Sequence, residues 1–306
     1  MKRIILALVP TMLSSAALAD EPGRFTAEDV FDLEYAGDPR ISPDGSRIVY
    51  ERRSNDIKTD STRSNLWIID TDGERHRPLV SGTDSASSPR WSSDGERIAY
   101  IKSTATGTGI HVRWMDTGQT GLVANLQKSP SDLSWSPDGR WLAFTMTVPT
   151  KSEPLARPRS KPEGAEWSEP VKVIDSARYR WDGRGFLEPA YTHIFVVPAD
   201  GGTPRQLTTG NFDHGGSLTW TPDSASIVFS ANRHEGWELE SGESDLFSIS
   251  VTDGTLAQIT DRQGGESSPV VSPDGRHIAY VSNPNRMVAY NTRVLNVMEA
   301  DGANDR

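Results

Sequence analysis

One pattern of polar and apolar positions recurs five times along the chain, as a polar turn of the type Ser-Pro-Asp-Gly followed by a short apolar strand. In such a turn the proline presets φ, the aspartate accepts local backbone hydrogen bonds, and the glycine adopts the left-handed conformation. Ser224 replaces the glycine in the fourth copy, so we expect a strained or differently bulged hairpin there. The five copies span residues 39–50, 89–100, 133–144, 218–229 and 269–280.

The strand in each copy is apolar on both faces. Because side chains alternate between faces along a strand, one face of each strand is bulky and the other is small. We therefore expect a stack of sheets in which each sheet packs its bulky face on the small face of its neighbour. The bulky columns are Ile48, Ile98, Leu142, Ile227 and Ile278, and Tyr50, Tyr100, Phe144, Phe229 and Tyr280; the small column is Val49, Ala99, Ala143, Val228 and Ala279.

A second hairpin follows each of these strands, with turns such as those at Asp72 and Asp200. Two hairpins make a four-stranded unit, and the aspartates of the first turns are 50, 44, 85 and 51 residues apart. Units of about 40 to 50 residues with four strands are typical of β-propellers. A β-sandwich would also contain many short strands, but not this repeated pair of turns. We predict an all-β chain: a β-propeller over residues 20–306 with five four-stranded blades, the last incomplete.

The spacing of 85 residues places an insertion, over about residues 148–191, in the third unit. Its first half is rich in proline and charge, which favours an extended loop. Its second half carries aromatic residues around the turn at residues 182–183, which predicts an extra hairpin. Ahead of the first unit, Thr26 and Asp29 form a helix-capping pattern, which predicts one short N-terminal helix.

The N-terminus has the three parts of a secretory signal peptide. Lys2 and Arg3 supply the positive charge, an apolar run extends to Leu18, and a small-x-small site ends at Ala19. The apolar run is shorter than the ~20 residues that span a bilayer, which disfavours a membrane anchor. We predict cleavage before Asp20 and an exported product, periplasmic or secreted, that has no membrane contact after removal of the signal.

Composition and charge exclude several classes of protein. The chain has 32 lysines and arginines and 42 aspartates and glutamates, which gives a net charge of −10. This charge disfavours nucleic acid as a partner, because phosphate contacts need clustered cations. Zero cysteines exclude disulfides and thiolate sites. The six histidines lack metal-ligand spacing, so we predict neither a metal site nor a cofactor. For His214 we favour a role in closing a turn between blades over one as a catalytic base.

The repeats resemble the TolB-like propeller repeat, and several stretches are similar to one branch of the prolyl oligopeptidase family, that of acylaminoacyl-peptidases and dipeptidyl-peptidases. These stretches follow one another in order between Phe25 and Arg306, and the less generic ones lie in the third and fourth units. They are GDPRISPDGSRIVY, ARYRWDGRGFL, YTHIFVVPADGGTPRQLT, NFDHGGSLTWTPD and SANRHEGWELESGESDLF.

The resemblance implies a propeller that precedes an α/β-hydrolase domain with a Ser-Asp-His triad. The nucleophile of such a domain lies in a G-x-S-x-G turn, and this sequence has none: the nearest approaches, at Ser244 and Ser267, lack the second glycine. We therefore expect no catalytic residue in this chain, no activity of the chain alone, and an origin as the N-terminal part of a longer serine peptidase.

In such a peptidase the propeller admits short peptides and excludes folded proteins, and the insertion is the best candidate for substrate contact. Its aromatic residues offer an apolar surface, and its arginine can pair with a carboxylate. The alternative, which we favour, is that the aromatic residues hold the extra hairpin on its own blade. The candidate residues are Trp167, Tyr179, Trp181 and Arg184.

A second function from a different class is a free-standing TolB-like periplasmic propeller that binds a protein partner. A TolB-like protein is expected to carry an additional N-terminal domain, and only a short stretch lies between Asp20 and the first repeat. We therefore favour the peptidase. With either function, an incomplete ring leaves sheet edges open, so we expect the isolated chain to aggregate or to form a homo-oligomer.

Overall fold

The structure is a computed structural model. It describes residues 25–150, 159–168, 173–240, 242–283 and 292–306. The predicted cleavage site between Ala19 and Asp20 lies outside the described residues, as does part of the insertion. Within the described ranges, no helix is long and apolar enough to cross a membrane.

The described strands form six antiparallel sheets, of which five are blades that follow one another in chain order and the sixth is a two-stranded hairpin in the insertion. The first blade contains β1 (Glu34–Ile41), β2 (Arg47–Asp56), β3 (Ser61–Asp70) and β4 (Arg77–Val80). The second contains β5 (Ser85–Trp91), β6 (Arg97–Thr104), β7 (Gly107–Trp114) and β8 (Thr120–Leu126). The third contains β9 (Ser131–Trp135), β10 (Trp141–Pro149), β13 (Ala190–Pro198) and β14 (Arg205–Gln206).

The fourth blade contains β15 (His214–Trp220), β16 (Ser226–Ala231), β17 (Asp245–Ser250) and β18 (Leu256–Gln258). The fifth contains three strands, β19 (Glu266–Val271), β20 (His277–Ser282) and β21 (Val294–Glu299). The insertion forms the predicted extra hairpin, β11 (Arg180–Trp181) paired with β12 (Gly185–Phe186). The all-β fold with four-stranded blades and a shorter fifth blade is thus confirmed.

The first strands of successive blades contact one another, so they line the axis of the propeller. The predicted N-terminal helix is a single 3-10 turn at Glu28–Phe31, next to β2. The backbone N–H of Thr26 donates to the Asp29 carboxylate at 2.6 Å, which is one half of the expected capping pattern. A second 3-10 turn, Trp237–Leu239, lies between β16 and β17.

Blades pack bulky face on small face, as the apolar columns predict. Ala99 of the second blade lies in one cluster with Leu142 and Phe144 of the third blade. Ala143 of the third blade lies in the next cluster, with Ile227 and Phe229 of the fourth. All six side chains are fully buried, and burying a large apolar side chain contributes about 1.5–3 kcal/mol.

Each first turn is held by the same three hydrogen bonds. In the second blade, the Ser92 hydroxyl donates to Asp94 at 2.5 Å, and Asp94 accepts the backbone N–H of Glu96 at 2.9 Å. The backbone N–H of Arg97 donates back to the Ser92 hydroxyl at 2.9 Å. At the first turn, hydrogen bonds from Ser42 and then Ser46 lower the pKa of Asp44 to about 2.

Ser224 takes the left-handed conformation of the glycine that it replaces. Its φ is 61°, against 68° to 73° for the glycines of the other four turns. The turn also keeps its hydrogen bond, from the Ser224 N–H to the Thr221 carbonyl at 2.8 Å. The turn is therefore strained, as expected for a residue with a Cβ. The hairpin is also bulged differently from the others: its first strand advances four residues from Gly215 to Thr219 opposite two on the second strand, whereas the other first strands advance three.

A bulge in every first strand was not predicted from the sequence. The pairing of each first strand with the second shifts register in the middle, next to a residue with positive φ. In all five blades this residue is short and polar, which is the class that tolerates this conformation best after glycine. The five residues are Asp38, Ser88, Asp132, Ser217 and Ser268.

Candidate functional site

The insertion and the second 3-10 turn lie at the same end of the propeller. In an antiparallel blade, the connection from the second to the third strand and the connection to the next blade leave the sheet at the same end. The insertion connects β10 to β13, residues 232–244 connect β16 to β17, and residues 207–213 connect the third blade to the fourth. These three segments meet above the boundary between the third and fourth blades.

They enclose a cavity of about 710 Å³, which we call the insertion cavity. Its wall has two parts. The aromatic part consists of Tyr179, Phe186, Tyr191 and Trp237. The charged part consists of Asp175, Arg178, Glu188, Asp213 and Glu238.

The aromatic rings form two groups, one on each side of the cavity. On the blade side, the Tyr191 ring meets the Trp237 ring edge-on, with centroids 5.9 Å apart and planes at 72°. The Phe212 ring also packs against the Trp237 ring, with centroids 6.4 Å apart. On the hairpin side, Tyr179 and Phe186 lie 6.2 Å apart. Edge-on and offset ring pairs are the favourable geometries, so each wall is stabilised by its own rings.

Arg178 connects the insertion to the fourth blade. Its guanidinium donates to the Asp213 carboxylate at 3.1 Å and lies 5.6 Å from the centroid of the Trp237 ring. Asp213 is held in place from the other side, because its Oδ1 accepts the backbone N–H of Thr192 at 2.8 Å. One residue before Arg178, the backbone N–H of Ala177 donates to Glu238 at 2.8 Å.

His214 lies buried beneath the cavity. Burial is the main cause that lowers its pKa to about 4, and the nearby charge of Arg233 acts in the same direction. The imidazole is therefore neutral at pH 7: Nδ1–H donates to the Thr192 carbonyl at 3.1 Å, and Nε2 accepts from Arg233 at 2.6 Å. With both ring nitrogens occupied inside the protein, His214 links the third and fourth blades and has no nitrogen available to act as a base.

Negative charge surrounds Tyr191 on the cavity wall. Burial raises the pKa of its hydroxyl, and the carboxylates of Glu238, Asp213 and Asp175 raise it further, although Arg178 opposes them. The potential in the cavity is therefore negative at neutral pH. Throughout the described ranges, no group of three or more histidine, aspartate or glutamate side chains is placed to hold a metal ion.

The structure places one of the four candidate insertion residues in the cavity wall. That residue is Tyr179, whereas Trp167, Trp181 and Arg184 are exposed on the insertion and do not line the cavity. Trp167 and Trp181 retain 52% and 57% of their accessible surface, so the rings that we expected to hold the hairpin on its blade face solvent instead.

Sequence reasoning missed four positions of the cavity wall: Arg178, Tyr191, Asp213 and Trp237. Arg178 and Tyr191 lie in the insertion and Asp213 lies in the connection from the third blade to the fourth, and nothing in their spacing predicts that they meet. The signal for Trp237 was the long connection between β16 and β17, which exceeds the short hairpin loop that the first two blades have at this place.

Two family models match separate stretches of the chain. Residues 44–153 match the TolB beta propeller domain, and residues 182–288 match the Dipeptidyl peptidase IV N-terminal region. The chain is 31% identical over 69% of its length to the uncharacterized peptidase YuxL of Bacillus subtilis, of which it covers 31%. It is 26% identical over 92% of its length to dipeptidyl-peptidase 5 of Porphyromonas endodontalis, of which it covers 44%. The chain thus spans less than half the length of these curated relatives.

Two solved structures support the fold. The acylaminoacyl peptidase of Pyrococcus horikoshii matches 88% of this chain with a TM-score of 0.64 and 16% identity, over 39% of its own length. A putative TolB from Agrobacterium tumefaciens matches 89% of this chain with a TM-score of 0.55 and 18% identity, over 80% of its own length. The chain is therefore a β-propeller, and its resemblance to TolB propellers and to the propeller part of prolyl oligopeptidase-family peptidases is confirmed.

Proposed function

We propose that this chain is the propeller part of an exported serine peptidase, and that it limits access to a separate catalytic domain to short peptides. The observation that carries the proposal is the similarity to a dipeptidyl-peptidase along 92% of the chain. The sequence itself contains no G-x-S-x-G turn for the nucleophile. Acyl transfer, with its oxyanion hole and histidine base, is then the work of residues outside these 306.

In this proposal the insertion cavity contacts the peptide. Its volume of about 710 Å³ lies within the range of ligand pockets in proteins, which is about 300–1,000 Å³. Tyr179 and Trp237 supply apolar surface on opposite sides of it, and Asp213 supplies a fixed carboxylate. Trp167, Trp181 and Arg184 lie outside the cavity, on the exposed surface of the insertion, where they are available to a peptide that extends beyond it.

The second candidate function is that of a TolB-like propeller that binds a protein partner. It is favoured by the match of residues 44–153 to the TolB domain and by the 80% coverage of a putative TolB. The two functions predict different outcomes in one experiment. The complete gene product is purified and incubated with a fluorophosphonate that labels active serines, and with short peptides and folded proteins as substrates.

For the peptidase, we expect labelling of a serine outside residues 1–306, cleavage of short peptides and no cleavage of folded proteins. The chain of 306 residues alone is the matched control and remains unlabelled. A complete gene product that neither takes the label nor cleaves any peptide contradicts the peptidase and favours the binding module.

Export is tested separately. Residues 1–24 are fused to an alkaline phosphatase that is active only outside the cytoplasm, and we expect an active, processed enzyme. Replacing Ala17 and Ala19 by glutamine removes the small side chains that signal peptidase requires, so the fusion should remain unprocessed. An inactive fusion in the cytoplasm contradicts the proposed export.

A further inference from the structure

We propose that the insertion cavity binds a positively charged side chain of a peptide, and that Arg178 occupies this site in cis. The inference rests on the proposed function only in that the ligand is taken to be a peptide. Arg178 itself shows the geometry of the site. Its guanidinium lies 5.6 Å from the Trp237 ring centroid and 3.1 Å from Asp213 Oδ2.

The ring and the carboxylate together form a site that is specific for an organic cation. A guanidinium or ammonium is attracted to the electron-rich face of an indole within about 6 Å of its centroid. A carboxylate adds a charge-assisted hydrogen bond to the same cation. Both groups are held in position: Trp237 packs against Tyr191 and Phe212, and Asp213 accepts the Thr192 N–H.

The cavity has more negative charge than Arg178 can neutralise. Among the described residues that line it, four are acidic and Arg178 is the one cation. Asp213 pairs with Arg178, and Glu238 accepts the N–H of Ala177, but Asp175 and Glu188 have no ion-pair partner within the described ranges. A second cation that enters the cavity is therefore attracted even while Arg178 is in place.

Arg178 can be displaced at small cost. The side chains of Arg178 and Asp213 retain 44% and 43% of their accessible surface, and ion pairs with such exposure contribute little to stability. The arginine also sits on the insertion and not on a blade, so its release moves no core residue. An arginine or lysine side chain of a peptide can thus take its place over Trp237 and against Asp213.

The test is a binding measurement on the full chain, with no cleavage involved. The probe is the blocked peptide acetyl-Ala-Arg-Ala-amide, and the matched control is the same peptide with citrulline, which has the shape of arginine without its charge. We expect the citrulline peptide to bind at least ten-fold more weakly. Binding of the arginine peptide should weaken with added salt, because the site is open to solvent. Equal binding of the two peptides overturns the proposal.

Substitutions show whether Arg178 occupies the cation site or is one of the groups that form it. Asp213→Asn keeps the acceptor for the Thr192 N–H and loses the charge, so we expect about ten-fold weaker binding. Arg178→Gln removes the competing cation, so we expect binding that is about two- to five-fold tighter, in proportion to the small contribution of the displaced pair. Arg180→Gln is the matched control: it makes the same charge change two residues further along the insertion, outside the cavity, and should leave the affinity unchanged.

Two further results overturn the inference. If Arg178→Gln weakens binding as much as Asp213→Asn does, Arg178 is part of the site and not its occupant. If unblocked Ala-Ala-Ala binds more tightly than the blocked arginine peptide, the site recognises a peptide N-terminus and not a side chain. Either of these binding results leaves the peptidase proposal intact. Conversely, if the complete gene product cleaves no peptide, the peptidase proposal fails and the binding measurement is unaffected.

Discussion

The guanidinium of Arg97, in the second blade, lies 4.7 Å from the centroid of the Trp135 ring of the third blade. The same side chain donates to the Gly139 carbonyl at 2.9 Å and is only 16% exposed. One blade earlier, Arg47 lies over Trp91 at 5.1 Å in the same arrangement. A cation of one blade thus covers a first-strand tryptophan of the next.

We predict that Arg97→Ala lowers the free energy of unfolding by about 2–3 kcal/mol, because it removes a cation–π contact and a half-buried charged hydrogen bond. Arg47→Ala should cost about 1 kcal/mol or less, because no hydrogen bond of its guanidinium occurs within the described residues. Urea unfolding of both variants measures the difference. Equal losses for the two arginines would show that the Gly139 contact contributes nothing.

Ser224 combines strain with a contact between blades. Its left-handed backbone costs about 1 kcal/mol, while its hydroxyl accepts the backbone N–H of Asp138 at 3.0 Å. Ser224→Ala loses the hydrogen bond and keeps the strain, whereas Ser224→Gly loses both. We expect the glycine variant to be more stable than the alanine variant by about 1 kcal/mol, measured by thermal unfolding. Gly45→Ala, where a Cβ would meet open space, is the control for strain alone and should lose about the same amount.

The small column of the repeats makes a prediction about packing. Ala143 is fully buried against the fourth blade, so Ala143→Leu should overpack that boundary and cost about 1–3 kcal/mol. Ala279 occupies the same column of the fifth blade, on a face that no other described blade covers, and Ala279→Leu should cost much less. Chemical unfolding of the two variants tests this. A similar loss at both positions would contradict the packing rule.

His214 makes the stability of the protein depend on pH. Its folded pKa of about 4 lies below the unfolded value of about 6.5, so the unfolded state binds more protons between these values. The contribution of the neutral imidazole is complete above pH 6.5 and is lost as the pH falls towards 4, by roughly 3 kcal/mol in all.

His214→Gln should flatten the stability profile between pH 4 and 6.5 when unfolding is followed by circular dichroism. His277→Gln, at an exposed position, is the control and should leave the profile unchanged. A profile of the His214 variant that still falls with the wild-type slope would assign the pH dependence to other groups.

The exposed faces of the terminal blades make a prediction about association. Ile41 in the first blade and Leu295 in the fifth are 64% and 71% exposed, although both lie on strands. We expect the chain to self-associate through these faces, and Leu295→Glu to shift it towards a monomer in size-exclusion chromatography with light scattering. Leu239→Glu, in the second 3-10 turn, is the matched control. A wild-type chain that is monomeric at every concentration contradicts this expectation.

The sequence by itself determined the fold of this protein, because the fold is repetitive. Each unit repeats the same turn chemistry and the same bulky and small columns, and these are local properties of about a dozen adjacent residues. The one departure from the repeat was also predictable. A serine in place of glycine at position 224 predicted strain, and its left-handed φ of 61° is a strained conformation for a residue with a Cβ.

The tertiary structure alone decided the insertion cavity. Arg178, Asp213 and Trp237 come from an insertion, from a connection between blades and from a loop of the next blade, and no local pattern relates such segments. They meet because antiparallel strands return all three connections to the same end of the propeller. The bulges in the first strands, such as the one at Asp38, could not be predicted from the sequence either, because they depend on how each first strand curves around the axis. The repeats can be predicted from the sequence because they depend on adjacent residues. The loops of the cavity are distant in sequence and come together only when the blades stack.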